Sequence, residues 1–201
     1  MEKIGLTRDD LATFGIESAP AREQAIALRL KPRLEAMALR FAAPLSKFAG
    51  RPLSAALELP QGGLAGAAGV LFFTSGEPAC SSPQFRFALS RGGAHARLVI
   101  EREAPGRQAL AKKLAKSATA LARELSGTDL RSYDGWDGRG LPAPASANEA
   151  PFWREVAERL GREAGRLDLG VGWPEARAVL LSYEDLLPAW RSLVPLYKRL
   201  V

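Results

Sequence analysis

Arg86, His95 and Arg97 are the side chains whose types and spacing best suit an anion. In the stretch 83–103, PQFRFALSRGGAHARLVIERE, apolar and polar residues alternate, and that period of two places all three on one face of an extended chain. A guanidinium presents forked donors that match phosphate or carboxylate oxygens. Lys112 and Lys116 follow one helical turn apart. Further on, Tyr133-Asp-Gly-Trp-Asp-Gly-Arg139 sets two aromatics and an arginine among flexible glycines, an arrangement in which Trp136 stacks on a base or sugar ring and Arg139 meets a phosphate. Arg86, His95, Arg97, Lys112, Lys116, Tyr133, Trp136 and Arg139 are therefore the candidate ligand-binding residues. The alternative for the aromatic loop is that it folds back and plugs the core.

Catalytic sets are harder to find. His95 is the only histidine, and no nucleophile elbow, phosphate-binding glycine loop or metal-ligand spacing occurs. Ser182 is explained by a helix cap, and Cys80 has no companion that would activate it. Asp134 and Asp137 leave carboxylate chemistry open, but they lack calcium-loop spacing. No catalytic residue, metal or cofactor is assigned.

The elements that must position the candidates are legible from periodicity. If Gly92 and Gly93 form a two-residue turn, Leu89 faces Ala96, Phe87 faces Leu98 and Phe85 faces Ile100 on an oily face. Arg86 then faces Val99, and Ala88 faces Arg97, on a mixed and open one. Residues 68–74, AGVLFFT, read as a further strand. A long helix from about Ala21 to Phe48 carries Ile26, Leu30, Leu34, Met37, Phe41, Leu45 and Phe48 along one narrow arc, fit to lie across the oily face. Pro32 and Pro44 are candidate breaks in it, and Arg22, Arg29, Arg33, Arg40 and Lys47 form its solvated flank.

Thr7-Arg-Asp-Asp10 caps a short first helix. The glycine- and proline-punctuated stretch 51–66 reads as loop. Pro105-Gly106 opens a helix to about Leu125, with Leu110, Leu114, Ala118, Leu121 and Leu125 buried and Lys112, Lys116 and Arg123 outward. Residues 126–151 form a long irregular loop, of a length typical of binding loops and lids. A helix begins at Asn148 or Glu149. Residues 167–173 alternate as a strand whose return partner is 177–181. Ser182 and Asp185 form a capping box for the final helix, in which Pro195 should produce a kink or an end.

The formal charge of +6 is unevenly placed: residues 84–131 hold ten basic residues against four acidic ones, which accounts for the whole excess. The length of 201 residues suits a single domain. No apolar run is long enough to span a bilayer, and the N-terminal residues lack the pattern of a signal peptide. One cysteine excludes an internal disulfide. A cytoplasmic, bacterial-type protein with no membrane partner is expected.

Several stretches together resemble the YktB-like family of uncharacterised bacterial proteins: Phe14-Gly-Ile16, Lys31-Pro-Arg-Leu-Glu35, Ser82-Pro-Gln-Phe-Arg-Phe-Ala-Leu89, Glu103-Ala-Pro105, and Ala178-Val-Leu-Leu-Ser-Tyr-Glu-Asp-Leu186 followed by Val194-Pro-Leu-Tyr197. The resemblance implies a compact α+β domain with an antiparallel sheet covered by helices. With the elements read above, the expectation is a single α+β domain over residues 1–201, its sheet built on a central β-hairpin and covered by a long N-terminal helix and further helices. The family's His-Pro-His stands here as Ser82-Pro-Gln84, so no role of those histidines carries over. The family brings no established activity. The expected function is a non-catalytic binding domain whose basic surface takes nucleic acid or a phosphorylated small molecule. The alternatives are a protein-interaction or dimerising domain, with a tryptophan at the contact, and an enzyme acting on a phosphate-bearing substrate.

Overall fold

The computed structural model describes residues 2–60, 67–136 and 141–201. Thr7 caps α1 (Arg8–Ala12) through a reciprocal box with Asp10, and a 3-10 turn at Thr13–Gly15 follows. The long helix is in fact two, α2 (Ala19–Arg29) and α3 (Lys31–Ala49), parted at Leu30. Pro32 sits in the first turn of α3, where its missing N–H costs nothing, whereas Pro44 is absorbed within that helix. The basic flank is solvated in part: Arg29, Arg40 and Lys47 are exposed, as its sequence suggests, whereas Arg22 and Arg33 are drawn inward. Arg22 is buried and donates to the Ile16 carbonyl at 2.6 Å, Arg33 pairs with Asp10 at 3.3 Å, and Arg40 pairs with Glu2.

The remaining elements are β1 (Leu53–Glu58), β2 (Ala68–Thr74), β3 (Gln84–Ser90), β4 (Gly93–Ile100), α4 (Arg107–Glu124), β5 (Arg131–Ser132), α5 (Ala150–Gly161), β6 (Leu167–Pro174), α6 (Glu175–Ala178) and α7 (Tyr183–Leu200). Among the described residues the strands form one antiparallel sheet in the order β1-β2-β3-β4-β6-β5. This is the expected α+β architecture, with the β3–β4 hairpin at its centre. Its apolar face presents Phe72, Phe85 and Phe87 to the helices. Trp190 of α7 lies 5.7 Å from Phe72 and 6.4 Å from Phe87, edge-on to both, and Tyr197 stacks on Phe85 at 4.8 Å. Helix α3 covers β1 and β2, α4 packs beside α7, and α5 packs against α4. No helix among the described residues is long and apolar enough to cross a membrane.

Four local expectations are corrected. The hairpin turn is Arg91-Gly92, so Phe85 faces Leu98, Phe87 faces Ala96 and Leu89 faces Ala94. Slipping the pairing by two leaves every side chain on its expected face. The reason lies outside the hairpin: Gly93, with φ of +135°, is a strand residue crowded against the Trp173 carbonyl of β6, a place no Cβ fits. Residues 53–58 form the edge strand β1 in a stretch expected to be loop. Residues 177–181 make no return strand. They hold the end of α6, and the neighbouring Ser182 bridges to Lys3, with Ile4 N–H donating to the Leu181 carbonyl at 3.0 Å. Finally, α7 runs through Pro195 without ending, held on both sides of it by buried Trp190, Leu193, Leu196, Tyr197 and Leu200.

The start of α7 is fixed by the expected box. Ser182 N–H and Oγ both donate to Asp185 Oδ2 at 2.7 Å, and these bonds hold the Asp185 carboxyl below its usual pKa. Ser182→Ala should lower stability by about 1 kcal/mol. Urea unfolding measures this, and an unchanged midpoint would show the cap to be dispensable.

Candidate functional site

The face of the sheet opposite the helices carries a polar cluster. Arg86 of β3 stands directly opposite Arg97 of β4, a like-charge pair that would repel if left alone. Arg86 Nη2 donates to Glu101 Oε1 at 2.7 Å and lies 3.4 Å from Glu58 Oε1. Arg97 Nη1 donates to Asp168 Oδ2 at 2.9 Å. Arg166 joins the two halves, with Nε 3.1 Å from Glu101 Oε2 and Nη2 3.1 Å from Asp168 Oδ2. Three guanidiniums thus meet three carboxylates, and the cluster is neutral in sum. Burial raises the Asp168 pKa against the opposing pull of Arg97 and Arg166, and burial likewise lowers that of Arg97.

At the turn end of the same face a neutral chain begins. His95 Nε2 lies 3.0 Å from Ser90 Oγ, and its Nδ1 lies 3.1 Å from the Tyr133 hydroxyl. Trp136 meets the imidazole edge-on at 4.6 Å, and the Arg97 guanidinium lies 4.9 Å from the centre of the Tyr133 ring. Tyr133 can reach this position because β5 pairs with β6 and because Gly172 lies beneath its hydroxyl, where an added Cβ would come within 2.8 Å. Burial, reinforced by the positive charge of Arg97, lowers the His95 pKa to about 3. Burial also raises that of Tyr133.

The mixed face is consequently closed, where an open one was expected. Arg86, His95 and Arg97 are 6%, 0% and 5% exposed, so the guanidiniums answer internal carboxylates. Tyr133 is buried and Trp136 half-buried against His95, so these aromatics fold back onto the sheet. Arg139 lies outside the described residues. Lys112 and Lys116 stand apart from the rest of the set, exposed on the outer side of α4.

Sequence reasoning missed Glu58, Glu101, Asp168, Arg166 and Ser90 as members of the cluster. The available signal was Asp168 itself, a carboxylate in an otherwise apolar and glycine-rich strand, where only a buried cation would make it tolerable. An imidazole held neutral far below its ordinary pKa, bonded to Ser90 and Tyr133, is poorly suited to general-base work near neutral pH. Among the described residues no three His, Cys, Asp or Glu are grouped to hold a metal ion.

A second feature lies on the outer side. Gln108, Ala111, Lys112 and Ala115 of α4 and Arg154, Ala157, Glu158 and Gly161 of α5 line a groove of about 370 Å³. Gly161 of α5 lies beside Ala111 of α4, where an added Cβ would stand 3.6 Å from the alanine methyl. Among the described residues no ion pair engages Lys112, Lys116 or Arg154, whereas Glu158 is engaged by Arg162 at 2.8 Å.

The fold defines an α+β protein built on one antiparallel sheet, with a charge-balanced polar face and a cationic outer helix. No family model matches the chain, and no curated protein matches it.

Proposed function

We propose that the protein is a non-catalytic binding domain for an anionic ligand, and that the ligand meets the outer surface of α4. One observation carries this reading: Lys112, Lys116 and Arg154 are exposed cations with no carboxylate partner among the described residues, whereas the arginines of the sheet are neutralised internally. Unpaired cations on adjoining helices raise the local concentration of anions and supply charge-assisted bonds to them. The buried, neutral His95 supports a binding role over hydrolysis. Kinship with the YktB-like family belongs to the same proposal, and so does a cytoplasmic setting.

The test is fluorescence anisotropy of labelled single-stranded and duplex oligonucleotides, with a sugar phosphate as competitor, at two salt concentrations. Binding should weaken with salt, and Lys112→Ala with Lys116→Ala should reduce the salt slope by about one per lysine that contacts a phosphate. Binding that is indifferent to both changes would overturn the assignment of this surface.

A second reading is favoured by Leu28 and Leu39, which are 71% and 85% exposed on α2 and α3. Large apolar side chains so exposed suit a protein contact. A mass that rises with protein concentration, and that Leu39→Ser returns to the monomer value, would support this reading.

A further inference from the structure

Resting on the anion-binding reading, we infer that the α4–α5 groove takes a small amphipathic acid, its acyl chain lying on the alanine floor and its acidic head held between Lys112 and Arg154. The floor is formed by Ala111, Ala115, Ala157 and Gly161, and the two cations rise from opposite walls. Its volume of about 370 Å³ falls at the small end of ligand sites. From Gln108 to Ala115 the groove runs about 10 Å along the helix axis, a length suited to a medium acyl chain. Charge complementarity selects the head group. The one carboxylate in the lining, Glu158, is already engaged by Arg162, so the cations of the walls are left to an incoming anion. A phosphodiester backbone, by contrast, would contact the lysines without using the floor.

Calorimetric titration with decanoate tests this, with decanol supplying the chain without the charge and inorganic phosphate the charge without the chain. Decanoate should bind at one site per chain, at least tenfold tighter than either control. Lys112→Ala or Arg154→Ala should weaken it several-fold. Ala115→Trp, at an exposed position, should fill the groove and abolish binding while the melting temperature stays unchanged. Equal affinity for decanol and decanoate, or full binding by Ala115→Trp, would overturn the inference. If decanoate fails while oligonucleotides bind through Lys112 and Lys116, the inference falls and the anion-binding reading stands. If decanoate, the oligonucleotides, inorganic phosphate and the sugar phosphate all fail to bind, both fall.

Discussion

Asp168→Ala should unfold this protein more readily by about 3–5 kcal/mol, because it leaves Arg97 charged inside the molecule without its partner. Asp168 is 2% exposed, and its Oδ2 accepts from Arg97 at 2.9 Å and lies 3.1 Å from Arg166. Removing it takes the anion from two guanidiniums together. Arg166, partly exposed, keeps its contact with Glu101 and can reach water, but Arg97 is buried beneath Tyr133 and has no such route. For a chain of this length the loss corresponds to a fall in melting temperature of roughly 10 °C. Replacing both partners by apolar residues of similar size, Arg97→Met with Asp168→Leu, should recover most of it. Removing a buried pair together avoids the cost of one stranded charge, and Asp168 Oδ1 and Arg97 Nε have no hydrogen-bond partner among the described residues to be sacrificed. Chemical denaturation of the two variants measures both effects. A cost below about 1 kcal/mol for Asp168→Ala would show that water already screens the pair.

Stability should also fall as the medium is acidified from pH 7, and His95 should account for much of the change. The folded protein holds this imidazole neutral down to about pH 3, whereas the unfolded chain protonates it near pH 6.5. Between those values the unfolded state binds more protons, so stability is full above pH 6.5 and declines as pH falls toward 3. At about 1.4 kcal/mol per pH unit, the loss attributable to this one group on going from pH 7 to pH 4.5 is roughly 3 kcal/mol. His95→Gln retains a polar side chain that can bond Ser90 and Tyr133 and removes the titration. Its stability should therefore vary less over that range by the same amount. Equal pH dependence in the two proteins would assign the effect to the carboxylates instead.

Elements whose signal is local were legible from residues alone. The helix spanning Leu110 to Leu121 and the Ser182 box are set by periodicity and by contacts within a few residues. The hairpin register was not, because Gly93 answers to Trp173 across the neighbouring strand. Strand β1 was hidden by its composition, since LSAALE contains none of the β-branched residues that mark strands. The charge surplus of residues 84–131 gave a misleading picture of the sheet for a related reason. Counting along the chain cannot register Glu58 and Asp168, which come from outside that window and, together with Glu101 inside it, neutralise Arg86 and Arg97. The two lysines on α4 kept their exposure because a helix's outward face depends on its own spacing.

The aromatic seam between α3, the sheet and α7 also bears on synthesis of the chain at the ribosome. Phe41 meets Trp190 at 5.0 Å and Tyr183 at 5.8 Å, and the amide of Tyr183 donates to the Glu2 carbonyl. The elements made first therefore wait for residues 183–200 before their apolar surfaces are covered. Until then the nascent protein displays Phe72, Phe85 and Phe87 on an incomplete sheet, the kind of surface that holding chaperones recognise and that associates with copies of itself. Closure of this core is a late, long-range event, so folding should be governed by the arrival of α7 more than by the rate at which the individual helices form.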